Sequence, residues 1–477
     1  MMTKHYTELT GALGDKIQFG PPMHSAEDFF NKAVPVVSIN GVTYELRSIG
    51  TLGFTLVGPL PEVVNEDDDP LTAVFTQSGR EIFETRILKP TPIDDQVINC
   101  RCFDRAITLE KLGHANAAAV AAARVRAPKI APMDIPTEYK VFCADTLDIM
   151  ATLRRQVEEE ISPFEQELTA EERHELDKQM EEAVADQWLP FLERANSLVL
   201  PFKHDVEMRT RMKRYTENVV TGEMCKGALQ HRCYYKPLGY PGDFEIMNAF
   251  YDNVPRGENA YTRLVDMLGL IAGRPVAKRM HYLTAELERM VATSDRRHHH
   301  VMSVGAGPAR EFKRFFERAG KIDNGFSITL VDPETRALEC AIGNIYSSVK
   351  HGVSSIMVSG MNTSFTEMLR PKSTFRHLPP QDFIYSAGLT DYLNTKLTKS
   401  MVSKLYDLVR PGGTVLIGNV NDAPNGMYWS AEYAVDWSMF FRNMAEMEEI
   451  ADGLPGNPEI TADESGSYFM LKLTKPA

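Results

Sequence analysis

Short apolar runs alternate with helical patterns over the last third of the chain. Residues 301–304 form an apolar run that breaks at Gly305 and Gly307, and phenylalanines at helical spacing begin at Phe312. The pattern predicts a strand, a glycine turn and the start of a helix. Bare backbone at such a turn lets a ligand approach closely, and exposed helix amides favour acceptor or anionic groups. A glycine pair of this kind also serves a purely steric purpose in many tight turns.

Three later patterns extend this prediction. Residues 326–332 read as a second strand beside the first, closed by Asp332, where dinucleotide and related nucleoside folds place a ribose-binding acid. Residues 382–393 read as a buried strand with a small-residue exit, followed by a helix at 398–409 and, after Pro411-Gly412-Gly413, another apolar strand. Strands alternating with helices indicate a parallel doubly wound sheet, with its ligand crevice at the carboxyl ends of the strands.

The chain before this sheet divides into three further segments. Residues 1–113 contain short strands with turn signals, including a hairpin turn at Asn40-Gly41, and are typical of a small β-barrel. Residues 114–137 are rich in alanine and then proline, which indicates a linker. Residues 138–292 read as a helical domain and 293–477 as the sheet domain. The predicted fold is therefore multi-domain: a small β-barrel, a helical domain and a Rossmann-like α/β sheet.

Composition excludes several classes of protein. The 477 residues are 43% hydrophobic and 25% charged, which is ordinary for globular protein. A net charge of −13 argues against binding nucleic acid through its phosphates. The beginning of the chain lacks an apolar signal region, and no uncharged stretch approaches the roughly 20 residues that span a bilayer, so we expect a cytoplasmic protein without stable membrane insertion.

No metal site is expected. The six cysteines are scattered, and Cys100 and Cys102 lack the spacing of a structural zinc site. Neighbouring residues in His298-His299-His300 point to opposite faces of a strand, which disfavours joint chelation. We expect this segment to be a basic, exposed lead-in to the strand.

A loop rich in proline, glycine and aromatic residues interrupts the helical segment at 234–243. Loops of this composition are often functional. The alternatives are an aromatic clamp that holds two helices, or a hinged lid over the crevice.

The sheet motifs resemble those of class I S-adenosylmethionine-dependent methyltransferases. The resemblance rests on Gly305-Ala306-Gly307-Pro-Ala-Arg-Glu311, on the strand ending at Asp332 and on Leu408-Val-Arg-Pro-Gly-Gly413. It implies S-adenosylmethionine as the cofactor, with Gly305 and Gly307 along the methionine moiety, Asp332 on the ribose hydroxyls, and Ser386 to Gly388 bordering the sulfonium. The further residues that it implies at the cofactor are Ala306, Glu311, Pro333 and Asp391. Ser303 stands where many such enzymes carry an acid.

A narrower resemblance covers residues 225–477. Tyr235-Lys-Pro-Leu-Gly-Tyr-Pro-Gly-Asp243, the glycine turn, Ala387-Gly-Leu-Thr-Asp-Tyr-Leu393 and Asp436-Trp437 with Arg442 are similar to bacterial enzymes of 3-hydroxypalmitic acid methyl ester biosynthesis. The resemblance implies methylation of the carboxyl group of a fatty-acid-like substrate, giving a diffusible quorum-sensing ester.

The first segment weakly resembles PilZ domains, which bind cyclic di-GMP in many bacterial proteins. The similar stretch runs from Leu46 to Leu56, but residues 34–46 contain no arginine to grip phosphate. A structural barrel, or one that forms a homodimer, is therefore favoured over a nucleotide sensor.

Carboxylate methylation narrows the candidate catalytic residues. An ionised acid needs no general base, so positioning and desolvation suffice, with a cationic or phenolic group on the second oxygen. The candidates are Tyr235, Lys236, Tyr240 and Arg442. Their structural alternatives are an exposed Lys236, tyrosines in the core, and an Arg442 paired with Glu446 one helical turn away.

Two other functions stay open at this point. The chain could methylate an alcohol, an amine or a protein group, which would need a base such as Asp391 or His377. It could also be a regulatory protein that binds the cofactor without turnover.

Overall fold

The structure is a computed structural model that describes residues 7–8, 17–18, 23–30, 34–61, 70–77, 80–94, 96–103, 106–109, 112, 133–318, 322–349, 353–370, 373–463 and 465–477. The chain forms two compact units. The first comprises Met1–Glu8, Gln18–Pro132 and Pro237–Tyr240, and the second Leu9–Ile17, Met133–Lys236 and Pro241–Ala477. The predicted linker at 114–137 lies almost entirely outside the described residues.

An antiparallel sheet dominates the N-terminal unit. The described strands up to residue 101 are β1 Thr7–Glu8, β2 Ile17–Gln18, β3 His24–Ser25, β4 Val36–Ile39, β5 Val42–Gly50, β6 Gly53–Val57, β7 Leu71–Gln77, β8 Arg80–Ile87, β9 Thr91–Pro92 and β10 Val97–Arg101, and a short helix α1 covers Ala26–Phe29. The strands of this sheet pair in the order β8-β7-β4-β5-β6-β10-β9, with β3 on β5. An isolated bridge between Ile87 and Cys102 joins the end of β8 to the chain after β10.

Alternating burial explains this sheet. Val37, Ile39 and Leu46 point inward and are fully or almost fully buried, while their neighbours along the strands are more exposed. Asn40 and Gly41 have φ angles of 51° and 79°, the positive values that a two-residue hairpin turn requires, which confirms the predicted turn. Strands β4 to β8 and β10 are the short strands that the sequence pattern of this segment indicates.

Helices fill the second unit as far as residue 293, in agreement with the helical pattern. They are α2 Thr137–Glu160, α3 Ala170–Val199, α4 Val206–Thr216, α5 Gly222–Met224, α6 Ala228–Tyr235, α7 Phe244–Asp252, α8 Ala260–Ala272 and α9 Arg274–Thr293. Side chains cap several of them: Thr169 and Glu172 form a capping box at α3, and Asp243 caps α7. Glu217–Thr221 forms a π-helical segment that the sequence pattern did not indicate.

A seven-stranded sheet follows. Its strands are β11 His298–Val304, β12 Ile322–Asp332, β13 Val353–Asn362, β14 Gln381–Ser386, β15 Val409–Val420, β16 Pro458–Ala462 and β17 Tyr468–Thr474, and its helices are α10 Arg310–Arg318, α11 Thr335–Ser348, α12 Thr395–Leu408 and α13 Met444–Ala451. The order is β13-β12-β11-β14-β15-β17-β16. Strands β11 to β15 are parallel, and β17 runs antiparallel to both of its neighbours.

This order confirms the predicted doubly wound parallel sheet. The strand order reverses between β11 and β14, which is where open α/β sheets bind ligands. The sequence analysis found the first, second, fourth and fifth strands but missed β13, β16 and β17.

One hydrophobic core joins the helical segment to the sheet. Trp188 and Phe250 of the helices belong to the same buried cluster as Phe326 and Tyr385 of the strands. The predicted boundary at 292/293 lies inside this unit and stays a prediction. Within the described residues, no helix combines the length and the apolar character needed to cross a membrane.

Candidate functional site

The glycine turn after β11 opens at the carboxyl edge of the sheet. Gly305 and Gly307 have φ angles of 68° and 51°, and Ala309 has a φ of 50°, so this short turn uses the left-handed region three times. The amide groups of Gly305 and Ala306 donate to the Val331 carbonyl at 2.8 and 3.1 Å. A Cβ built on Gly307 meets no atom within 4 Å, so space above the turn is open.

Asp332 closes the neighbouring strand and faces this turn. One carboxylate oxygen accepts from the Gly307 amide at 2.9 Å, and the other accepts from the Glu334 amide at 2.9 Å. Burial raises the pKa of Asp332, and these two amide hydrogen bonds oppose the rise. Pro333 is exposed, and its carbonyl accepts from Asn362 at 3.0 Å.

The exit of β14 forms the other side of the crevice. The Ser386 hydroxyl is buried and donates to the Val304 carbonyl at 2.9 Å, which ties the exit of β14 to the end of β11. Asp391 is buried beyond this exit. It accepts from the Val420 amide at 2.8 Å and from the Tyr468 hydroxyl, and burial raises its pKa to about 6.

A second buried acid lies beneath the glycine turn. Glu311, in the first turn of α10, accepts from the Tyr385 hydroxyl, and Tyr385 also contacts Ser303 on the first strand. Burial raises the pKa of Glu311. Tyr385 therefore links Glu311 to Ser303, the position where many enzymes of the resembling class carry an acid.

Helix α7 packs beside the glycine turn and the start of α11. Glu245, near its start, pairs with Arg336 of α11 at 2.9 Å, and Asp252, its last residue, pairs with Arg310 of α10. Asn248 in the middle of α7 donates to the Cys340 sulfur of α11 at 3.6 Å.

Lys236 is fully buried, which corrects the alternative of an exposed lysine. Its ammonium lies 3.4 Å from Asp436 Oδ2, and Asp436 also pairs with Lys213, whose ammonium is 2.9 Å from Glu432. Two lysines and two carboxylates thus form a buried ion cluster. The charge of Lys236 is compensated inside the protein, which leaves it poorly placed to recognise a substrate carboxylate.

Arg442 is also engaged by the protein itself. It donates to the backbone carbonyls of Thr390 and Leu393 and to the side chains of Asn419 and Thr398. These contacts bind the loop after β14 to the following chain. Glu446, the alternative partner that the sequence offered for Arg442, instead forms the capping box of α13 with Asn443.

The two remaining candidates are tyrosines. Tyr235 is half-buried, and its ring lies 4.3 Å from that of His231. Tyr240 belongs to the first unit, in the segment Pro237–Tyr240, and its role stays a prediction. The structure therefore gathers the cofactor candidates at one edge of the sheet and does not gather the four catalytic candidates.

A small apolar cavity lies in the second unit. Its walls include the aromatic rings of Trp188, Phe250 and Trp437. The indole of Trp437 donates to the Tyr392 hydroxyl at 2.8 Å, and Tyr392 directly follows Asp391 at the exit of β14. Trp437 therefore both lines the cavity and contacts the chain at the exit of β14.

The histidine run departs from its prediction. His299 is fully buried against Phe326 rather than exposed, while His298 contacts the Ser327 hydroxyl at 2.8 Å. His377 is exposed on a short 3-10 turn.

Sequence reasoning missed Arg279, Tyr385 and Tyr468. Arg279 lies on α9 and donates to the Ala387 carbonyl at 2.7 Å and to the Tyr468 hydroxyl at 2.8 Å. No motif marks these residues, since each comes from an element that reads only as core. Their burial and their contacts become visible only in the folded chain.

Comparison with known proteins gives likenesses of fold. No family model and no curated protein matches the chain. Among solved structures, it is similar to a possible exported protein from Bordetella parapertussis, at 15% identity and a TM-score of 0.40 over 61% of this chain and 97% of that one. It is also similar to magnesium protoporphyrin IX methyltransferase from Synechocystis PCC 6803 with bound SAM, at 9% identity and a TM-score of 0.30 over 42% of this chain and 81% of that one. A third similar structure is the N-methyltransferase NodS from Bradyrhizobium japonicum WM9 with S-adenosylhomocysteine, at 13% identity and a TM-score of 0.29 over 41% of this chain and 87% of that one.

Because these identities and TM-scores are low, the fold is assigned from the strand order of the sheet. The parallel strands β11 to β15 and the glycine turn after β11 form the Rossmann-like α/β architecture that the resemblance to class I methyltransferases implied, and the antiparallel β17 is an addition to it.

Proposed function

We propose that this protein is an S-adenosylmethionine-dependent methyltransferase. The observation that carries the proposal is the hydrogen bond of 2.9 Å between the Gly307 amide and Asp332 Oδ2 at the ligand-binding edge of the sheet. An acid held against a glycine turn, next to the point where the strand order reverses, suits the ribose and amino-acid portions of a nucleoside cofactor.

The residues present fit that cofactor. The open space above Gly307 leaves room for close approach, and Asp332 offers carboxylate oxygens to the ribose hydroxyls. Glu311 supplies a buried carboxyl group in the first turn of α10, linked to Ser303 through Tyr385. When bound, S-adenosylmethionine supplies an electrophilic methyl group on its sulfonium. The chain has to orient the acceptor in line with that methyl group and to exclude water.

We further propose that the acceptor is the carboxylate of a fatty-acid-like molecule. Two observations support a carboxylate over an alcohol or amine. Both oxygens of Asp391 already accept hydrogen bonds, and His377 is exposed on a peripheral turn, so neither candidate base is well placed. The apolar portion of the acceptor rests on the resemblance of residues 225–477 to enzymes of 3-hydroxypalmitic acid methyl ester biosynthesis.

The other functions that the sequence left open have less support from the contacts in the structure. Methylation of another small molecule or of a protein group would need a base that these contacts do not supply. No contact described above supports cofactor binding without turnover. The same is true of a structural or dimerising role for the N-terminal sheet.

The decisive experiment measures methyl ester products by mass spectrometry. The purified protein is incubated with S-adenosylmethionine and a panel of free and 3-hydroxy fatty acids. We expect methyl esters from the unmodified protein and none from Asp332→Ala. Glu339→Ala is the matched control, because Glu339 is an exposed acid on α11, and it should retain activity.

Calorimetric binding of S-adenosylhomocysteine separates the outcomes. Binding without any ester would move the proposal to another acceptor or to a regulatory protein. A wild-type chain that binds neither S-adenosylhomocysteine nor S-adenosylmethionine would overturn it.

A further inference from the structure

The buried basic side chains of the second unit differ in how their charge is compensated. Lys213 and Lys236 contact Asp436, and Arg263 contacts Asp177 at 3.0 Å. Arg279 is just as deeply buried, yet no carboxylate oxygen of the described residues lies within 4 Å of its guanidinium. It is this contrast that singles out Arg279.

Arg279 does not use all of the N–H donors of its guanidinium in strong hydrogen bonds within the described residues. Nη1 donates to the Ala387 carbonyl and to the Tyr468 hydroxyl, Nη2 reaches the Met247 sulfur at 3.5 Å, and the Tyr251 hydroxyl also interacts with the guanidinium. Nε has no hydrogen-bond partner among the described residues although it is buried. A guanidinium carries five N–H donors, and a thioether is a weak acceptor, so the Nε donor and the donor directed at Met247 remain available to a stronger acceptor.

Burial makes this arrangement costly. An ionised side chain that leaves water needs compensating charge and hydrogen bonds, and a direct carboxylate partner is the usual source of both. Asp391 is connected to Arg279 only through the Tyr468 hydroxyl, and Glu311 faces it without direct contact. The positive charge of Arg279 is therefore compensated by two carboxyl groups that do not contact it directly.

The position of Arg279 is the second observation. A Cβ built on Gly388 would lie 2.9 Å from Nη1, so the guanidinium lies against the backbone at the exit of β14. This exit borders the crevice where we propose that the cofactor and the acceptor meet.

We propose that Arg279 binds the carboxylate of a ligand in this crevice. The inference rests on the proposed function and deepens it, since both the amino-acid end of S-adenosylmethionine and a fatty-acid acceptor carry a carboxylate. Arg279 takes the role that the sequence suggested for Lys236 and Arg442, whose charges the protein already engages. Planar guanidinium and carboxylate groups form two parallel hydrogen bonds, which orients the ligand as well as holding it.

A pair of affinity ratios tests the proposal and separates the two sources. The first ratio compares S-adenosylmethionine with its decarboxylated analogue, which lacks only the carboxylate. The second compares octanoate with octanol, in the presence of S-adenosylhomocysteine. Each ratio is measured by calorimetry on one preparation, so it is insensitive to the fraction of protein that is misfolded.

We expect one of the two ratios to fall at least tenfold in Arg279→Gln and less in Arg279→Lys, which keeps the charge but loses the fork. A fall in the first ratio assigns the carboxylate to the cofactor, and a fall in the second assigns it to the acceptor. Arg274→Gln is the matched control on the same helix, where Arg274 is partly exposed and pairs with Glu181, and it should change neither ratio.

Wild-type binding of S-adenosylmethionine with both ratios unchanged in Arg279→Gln would overturn the inference and leave the proposed function standing. Failure of the wild-type chain to bind any adenosyl compound would instead overturn the proposed function. Tyr468→Phe guards against a folding defect, because it removes one partner of Arg279 while keeping the arginine, and it should lower the same ratio by a smaller factor.

Discussion

Lys236 and Asp436 lie 200 positions apart in the sequence and meet in a buried ion pair with 3.4 Å between Nζ and Oδ2. Both residues have a positive φ angle, 48° for Lys236 and 54° for Asp436, so the backbone as well as the charges is specialised at this contact. The pair attaches the end of α6 to the chain that follows the π-helical segment Trp429–Ala434.

The first prediction concerns this pair. Lys236→Met should lower the free energy of unfolding by about 3 kcal/mol, because it leaves uncompensated negative charge among buried groups. The double variant Lys236→Met with Asp436→Asn restores charge balance and should recover part of that loss. Urea denaturation measures both, with the exposed Lys396→Met as the control. Losses that simply add in the double variant would show that the two charges are not coupled.

A second prediction contrasts two glycines. Gly242 has a φ of 67°, and a Cβ there would lie 2.3 Å from the Trp437 ring, so Gly242→Ala should lower stability by roughly 2 kcal/mol or more. Gly343 lies inside α11 with nothing within 4 Å, so Gly343→Ala should raise stability by about 0.5–1 kcal/mol. Thermal denaturation should shift in opposite directions. A neutral Gly242→Ala would mean that the end of the 234–243 loop moves freely, as a lid would.

The third prediction concerns acid stability through His299. Burial, with Arg410 nearby, lowers the pKa of His299 from 6.5 to about 4. The unfolded chain therefore binds this proton first, and the contribution of His299 to stability is lost as pH falls from about 6.5 towards 4. Relative to His299→Gln, the wild type should lose about 2 kcal/mol between pH 7 and pH 4.5. The exposed His204→Gln is the control, and parallel pH profiles for wild type and His299→Gln would contradict the assignment.

Asp391 should respond to pH with the opposite sign. Burial raises its pKa from 3.8 to about 6, so the folded chain takes up this proton before the unfolded chain does. The wild type should therefore gain about 1–2 kcal/mol relative to Asp391→Asn as pH falls from 7 to 4, and this gain is lost again as pH rises through 6. Carbon-13 NMR of the carboxyl group gives a direct reading. A midpoint near 4 would show that Asp391 is solvated.

Elements whose pattern is local can be predicted from the amino-acid sequence alone. The glycine turn, the acid that ends the second strand and the Asn40-Gly41 hairpin follow from spacing and from the φ angles that glycine permits, and all three appear in the structure. Strand β13 escaped notice because serines and a glycine interrupt its apolar residues, which weakens the pattern of a buried strand, and because it lies at the edge of the sheet.

Which charged side chains are available to a ligand depends on how the chain packs in three dimensions. In the sequence, Lys236 and Arg442 look suitable for binding a substrate carboxylate. In the structure, the partner of Lys236 comes from 200 positions away and those of Arg442 from up to 52 positions away, and these contacts give both side chains a structural role. Arg279 carries no motif, and its significance comes from a contact with Ala387 across 108 positions. Compensation of a buried charge is a property of the groups packed around it, and the chain order does not reveal which groups these will be.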